Sequence, residues 1–254
     1  MMRTSGFSPT DSTARSSADA APPSGLVCAV HQPNFLPRLS TVAKLAAADV
    51  WVVLDDVQFS RRDYQHRARV APVDGSRPTR WLSVPTHLPS GRATLIRDAR
   101  LVEIPRSVRR VEHVLRQHYG VSPYWPLLAT DLPGLLTLFR STDRMAEIAE
   151  ASTLLLLRFL GWSGTVVRSS ALSAGSGRTQ RLVDLCLAVG ADTYLCGTGG
   201  SRYIEPDPFT AERVELRQFG VPTTGVWAGA RQVSALHSLM VHGPEVVKAV
   251  LEVG

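Results

Sequence analysis

Apolar residues occur along this chain in short, sharply bounded runs, and the period of each run predicts an element. Leu26 to Val30 is continuously apolar, as a buried strand is, and Pro33 and Pro37 then forbid regular structure for several residues. Ser40 or Thr41 can cap a short helix through Ala48, with Val42, Leu45 and Ala46 on one face. Val50 to Leu54 is a second strand, apolar on both faces, the pattern of a parallel sheet covered by helices. Trp81 to Val84 predicts a strand, and Thr94 to Val102 one or two more. Pro105 opens a helix at a favourable first-turn position and runs to about Tyr119, with Val108, Val111 and Leu115 inward. Met145 to Leu160 is the strongest helix, closed by Gly161. Thr165 to Ser169 is a strand, Arg178 to Val189 a helix closed by Gly190, and Thr193 to Cys196 a strand running into a glycine-rich loop. Val214 to Phe219 and Thr223 to Val226 are expected as late strands, and Val233 to Val241 and Pro244 to Val253 as closing helices.

Strands alternating with helices imply an α/β fold: a mostly parallel sheet flanked by helices, three-layer and Rossmann-like, with a helical segment inserted around 100–163. Residues 26–254 are expected to form one domain. Residues 1–25 are rich in Ser, Ala, Thr and Pro and lack an apolar core segment, so they are expected to be a disordered extension and not a secretory signal.

Composition narrows the picture further. The chain has 254 residues, 44% of them hydrophobic, enough to bury a substantial core. No run approaches eighteen apolar residues, so no membrane-spanning helix is expected. Three scattered cysteines form no disulfide framework, and the cytoplasm is the expected compartment. The formal charge of +6 suits an acidic protein partner or a phosphorylated metabolite, or reflects only a surface solvated by arginine. No zinc-finger spacing, RNP-like strand or long basic block points to nucleic acid, and no ligand spacing points to a metal.

Three polar loops follow predicted strand ends, which is where ligands bind in open parallel sheets. His31 is positioned to take a proton from an attacking amine; Gln32 and Asn34 offer amides for a carboxylate or an oxyanion. Asp55 and Asp56 lead into Val57 and Gln58; successive residues face opposite ways, so one aspartate is expected in the crevice, to bind an ammonium group or orient His31. Its alternative is an internal ion pair or a helix cap. Arg67 can fork onto phosphate or carboxylate. Gly197 to Gly200, with Tyr203, can cradle an anion through backbone N–H groups or form a plain turn. Cys196 is either a nucleophile or a buried strand cysteine; Cys28 and Cys186 read as core. Arg178 and Gln180 open a helix whose N-terminus, with Tyr194 and Tyr203, suits a phosphate or a phosphopantetheine arm.

Five ordered segments carry a family resemblance. HQPNFLP at 31–37, with LDDVQFSRRDYQHRARV at 54–70, resembles the signature of the WbqC-like family. WLSVP at 81–85, HYGVSPYWP at 118–126, the stretch 178–205 and VSALHSLMVHGPE at 233–245 resemble later pieces of it, together covering roughly 26–245. Cys196 stands where that pattern often has serine, His237 where it usually has aspartate, and Arg38 where an aromatic is common. The resemblance implies a bacterial protein of O-antigen, other sugar-modification or natural-product clusters. It also implies transfer of glycine or another aminoacyl unit to an amine, with His31, an aspartate of the 55/56 pair and the amides of Gln32 and Asn34 at the centre.

The expected donor is a thioester on an acidic acyl or peptidyl carrier protein, reached through its phosphopantetheine arm, with a small amine as acceptor, no bound cofactor, no nucleic acid and no membrane. Two alternatives stay open. The strand-loop-helix-strand start is loosely similar to nucleotidylyltransferases, without the second histidine of H-x-G-H, and would make this an ATP- or nucleotide-dependent enzyme. A non-catalytic binding partner in a biosynthetic cluster is the other.

Overall fold

A computed structural model describes residues 25–252; the expected N-terminal extension lies, but for its last residue, outside the described residues. In chain order the elements are β1 (Val27–His31), α1 (Leu39–Ala46), β2 (Val50–Val53), β3 (Arg67–Val70), β4 (Arg80–Ser83), β5 (Thr86–His87), β6 (Arg100–Leu101), α2 (Ile104–Tyr119), α3 (Trp125–Ser141), α4 (Met145–Phe159), β7 (Thr165–Arg168), α5 (Arg178–Ala188), β8 (Thr193–Gly197), α6 (Asp207–Ala211), β9 (Glu215–Phe219), α7 (Ala235–His242) and α8 (Pro244–Glu252).

Five strands form one parallel sheet in the order β7-β2-β1-β8-β9. Side chains alternate across it. Ala29, Trp51, Val53 and Leu195 face a core shared with α1, α2, α3, α4 and α7. Cys28, Val30, Val50, Val52, Tyr194 and Cys196 face a smaller core shared with α5 and α6. The result is a three-layer α/β arrangement, and β2 and Val50–Val53 in particular are apolar on both faces because both faces are covered.

The chain runs outward from β1 to β2 and β7, then returns to the other side of β1 for β8 and β9. The winding direction therefore reverses between β1 and β8. That is the switch point at which neighbouring loops diverge and leave a crevice at the carboxyl ends of the strands.

The helical insertion is present as α2, α3 and α4, packed on the larger core. Other expectations needed correction. Trp81 and its neighbours do form a strand, but it pairs antiparallel with β3, apart from the main sheet. Thr94 to Val102 holds one short 3₁₀ turn, Ile96–Asp98, and only Arg100–Leu101 pairs as β6. Thr223 to Val226 is not a strand: Gly225 takes φ of +61° and begins a 3₁₀ turn, while β9 already closes the sheet edge. Among the described residues no helix is long and apolar enough to cross a membrane.

Candidate functional site

The loop after β1 is held from several sides. Trp51 Nε1 and the Leu54 N–H both donate to the carbonyl of His31, at 3.1 and 3.0 Å. Phe35 N–H donates to Tyr64 O at 2.9 Å, and Leu36 N–H to Ser152 Oγ at 2.9 Å. Thr153 Oγ1 donates to Asn34 O at 2.9 Å. Leu36 sits at φ +45°, a left-handed conformation that costs a branched residue about 1–2 kcal/mol. Its fully buried side chain and its bond to α4 hold it there, so the proline-broken loop is rigid where it meets the crevice.

At the switch point lies a cleft of about 580 Å³. Its walls include His31, Gln32, Asn34, Arg38 and Lys44 on one side, and Gly197 to Gly200 with Tyr203 on the other. His31 Nδ1 lies 2.7 Å from the carbonyl of Gln32, which can only accept. Nδ1 therefore carries the proton, and Nε2 is the basic nitrogen. Burial, then the nearby Lys44 cation, push the His31 imidazole down to about 3, so it is neutral at physiological pH.

Lys44 is buried on α1, with Nζ donating to Val30 O at 3.1 Å. Among the described residues no carboxylate pairs with it. Burial lowers its ammonium group to about 8, against smaller opposing pulls from Cys196 and Cys28. Asn34 is 4% exposed, and its Oδ1 has no hydrogen-bond partner. Arg38 lies over the Tyr64 ring at 4.3 Å and donates from Nη1 to Arg231 O at 3.1 Å, while its buried Nε is unpaired. Arg231 also lines the cleft, and Asp63 is the one acidic side chain in its wall. Three cationic side chains against one carboxylate make the interior attractive to anions.

The structure brings only part of the expected site together. His31, Gln32, Asn34, Gly197 and Tyr203 line the cleft. Gln32 Oε1 accepts from Gln65 Nε2 at 2.7 Å, which fixes its amide. A Cβ on Gly197 would come 3.4 Å from Lys44 Cδ, and one on Gly200 3.0 Å from Cys196 Sγ, so the glycines let the loop settle over both residues. Cys196 itself is buried under that loop and outside the cleft wall; burial pushes its thiol up, with Lys44 pulling the other way.

Neither Asp55 nor Asp56 lines the cleft. Asp55 accepts from Ser170 N–H at 3.0 Å and Ser170 Oγ at 2.8 Å. Asp56 pairs with Arg181 at 2.6 Å and lies 2.6 Å from Ser169 Oγ. Desolvation pushes the Asp56 carboxyl up, but Ser169 and Arg181 together hold it below its usual value. Gln58 bonds the carbonyl of Arg92 beside a separate groove. Arg67 is spent on the carbonyls of Asp63 and Arg62 and lies over the Trp81 ring at 4.2 Å. Arg178 sits 5.5 Å from the Tyr203 ring centre, and Gln180 Nε2 donates to Asp184 at 2.8 Å; neither reaches the cleft wall. His237 bonds the carbonyl of Ala71, also outside it. Among the described residues no group of three or more histidine, cysteine or acidic side chains is placed to hold a metal.

Lys44 is the residue that pattern reading missed. Its signal was a charged side chain inside the apolar stretch of α1, next to Val42 and Leu45, in a chain with only one other lysine. Arg231 gave no such signal, because it is one arginine among many.

An uncharacterized protein of Mycobacterium tuberculosis (strain H37Rv), Rv1507c, is 22% identical over 191 residues, covering 75% of this chain and 80% of that one. No solved structure matches the chain significantly. The model of the WbqC-like protein family matches residues 32–249, a span containing nearly every cleft residue described above, and the chain belongs to that family.

Proposed function

We propose that this protein is an amide-forming acyl transferase, moving glycine or another aminoacyl group from a carrier-protein thioester to an amine in sugar or natural-product biosynthesis. One observation carries the reading: a neutral imidazole with its basic Nε2, a partnerless Asn34 Oδ1 and a buried cation share one cleft.

In this mechanism Asn34 Oδ1 accepts an N–H of the incoming amine and orients its lone pair. The amine nitrogen attacks the thioester carbonyl, forming a C–N bond, while His31 Nε2 takes the amine proton. The carbonyl oxygen becomes an oxyanion, favoured by the N–H groups of the glycine loop. The C–S bond then breaks, and the departing thiolate takes the proton from His31 and leaves as a thiol. Burial and Lys44 keep the His31 imidazole neutral, so its Nε2 lone pair is free to accept a proton at physiological pH. The net positive charge and the groove lined by Arg61, Arg62 and Arg92 suit an acidic carrier as the donor's bearer.

Intact mass spectrometry of a glycine-loaded carrier, incubated with this protein and a set of amines, tests the proposal. Enzyme-dependent loss of the aminoacyl mass with matching amide product supports it, and His31→Ala removes that turnover. A carrier left unchanged by every amine refutes it. The three cations of the cleft also suit a nucleotide-dependent ligase or nucleotidylyltransferase-like enzyme; saturable ATP binding without acyl transfer would select that second reading.

A further inference from the structure

We propose that the first turn of α1, together with Lys44, is a subsite for a tetrahedral phosphate-type oxyanion of the substrate. The inference concerns the same cleft as the acyl-transfer reading and rests on it for the place of the phosphate, on the donor's arm.

Ser40, Thr41 and Lys44 all line the cleft from α1, three and four residues apart and so on one face of the helix. The positive end of the α1 dipole lies at this turn, but the N–H of Ser40 is already donated to Ala230 O and those of Thr41 and Val42 to Arg38 O, so the turn offers a ligand its hydroxyls and not its backbone. That alone would mean little. The independent observation is Lys44: an ammonium group buried to 6% exposure, bonded to one carbonyl, with no carboxylate partner among the described residues. A buried cation without a counter-charge is costly, and a bound anion would relieve that cost. Arg38, whose buried Nε has no acceptor, and Arg231 stand at the same cleft. Across from them Gly197 packs on Lys44 Cδ with no side chain to fill the space. A phosphate, with several acceptor oxygens, can use the lysine, the Ser40 and Thr41 hydroxyls and a guanidinium together.

The groups around Lys44 are Cys28 and His31 on β1, Cys196 and Tyr194 on β8, and Arg38, Asp63 and Arg231 in the wall. His31 is already neutral and the thiol of Cys196 is held up by burial, so Lys44 is the cation that titrates just above neutrality. Anion binding should require its protonated form and should take up a proton where the free amine is present.

Sulfate is the first probe, because it exchanges no protons of its own in this range. Calorimetric titration of the full chain should show one saturable site whose affinity falls about tenfold between pH 7 and pH 9. At about pH 8, repeating it in buffers of different ionisation enthalpy should show uptake of about half a proton. Lys44→Met should lose at least about tenfold in affinity at pH 7 and all of the proton uptake, and Lys44→Arg should restore affinity but not uptake. Acetate should bind far more weakly than sulfate. Competition by 4′-phosphopantetheine but not pantetheine places the phosphate on a thioester arm; competition by uridine diphosphate alone places it on a nucleotide, which keeps the subsite and overturns its link to the donor arm. Absence of saturable sulfate binding in the wild type, an affinity flat from pH 7 to pH 9, or unchanged affinity in a folded Lys44→Met variant overturns the subsite. Sulfate binding without acyl transfer refutes the acyl-transfer reading alone, and transfer without sulfate binding refutes the subsite alone.

Discussion

Two neighbouring strands end in polar clusters, and they differ in what those polar atoms do. At the end of β2 every carboxylate oxygen of Asp55 and Asp56 has a donor within the protein: Ser169, Ser170 or Arg181. At the end of β1, Asn34 Oδ1 has no donor and Arg38 Nε no acceptor, and Lys44 behind them has no counter-charge among the described residues. The first cluster latches β2 to the turn after β7 and to α5. The second opens into the cleft. Residue type and position at a strand end are the same kind of signal in both; satisfaction of hydrogen-bonding capacity separates a latch from a site.

Acid should separate the two ends most strongly. The folded His31 binds its proton near 3 against an ordinary value of 6.5, so the unfolded chain takes up the proton first as pH falls. Stability linked to His31 is complete above about pH 6.5 and is lost toward pH 3, and at about 1.4 kcal/mol per pH unit it reaches about 4 kcal/mol by about pH 3.5. Asp56 has a lowered value, so its contribution is present above the ordinary carboxyl range and is lost only below it. Urea unfolding across pH 3 to 8 should therefore flatten between about pH 6.5 and pH 3 for His31→Gln and only below about pH 4 for Asp56→Asn. Parallel curves for wild type and His31→Gln would mean that His31 is not held neutral.

Breaking the latch comes next. Asp55→Ala leaves the Ser170 N–H and hydroxyl without an acceptor in a buried setting, while Ser169 keeps Asp56, and should cost about 2–3 kcal/mol. For a chain of this size that lowers Tm by roughly 5–10 °C. Calorimetry checks it, and a shift under about 2 °C would show that the latch is not holding β2 to β7.

Asn34→Leu is the counterpart on the open side. Removing a buried acceptor that has no partner should leave Tm unchanged or raise it by an amount worth up to about 1 kcal/mol. Aminoacyl transfer should fall about 100-fold, if Asn34 orients the amine. A destabilised Asn34→Leu would make the loop, like the latch, a structural device, and would erase the contrast between the two strand ends.

Much of this architecture was legible in the sequence. β1 and β2 could be read because continuous apolar runs of about five residues, bounded by glycine or aspartate, have few other uses. α3 could not, because Pro133 and Gly134 interrupt the middle of Leu128, Leu132, Leu135, Leu136 and Phe139; packing of those side chains outweighs one missing N–H. Thr223 to Val226 was misread because β-branched residues suit a strand only where a partner strand is available. At the site, the strand-end rule located His31 and Asn34 and also the aspartates, since local sequence cannot show that Ser169, Ser170 and Arg181, more than one hundred positions away, satisfy the latter. Lys44 was hidden for the opposite reason: helical periodicity treats a single charge beside core residues as a surface residue, and only the return of β8 next to β1 turns that face into a cleft floor.

The smallest effects are expected where a sequence motif met the wrong geometry. Arg178 and Gln180 open α5, which borders the latch through Arg181 more closely than it borders the cleft. Arg178 is exposed over the Tyr203 ring, and Gln180 is committed to Asp184 within its own helix. Replacing either with alanine removes an exposed contact worth about 0.5 kcal/mol or less. Tm should move by no more than about 2 °C, and transfer from a carrier thioester should change by less than about twofold. A tenfold loss of transfer in Arg178→Ala, with Tm intact, would instead mean that the donor reaches over Tyr203 onto the first turn of α5. The boundary of the site would then cross from the open strand end toward the latched one, and the two clusters would have to be read as halves of a single binding surface.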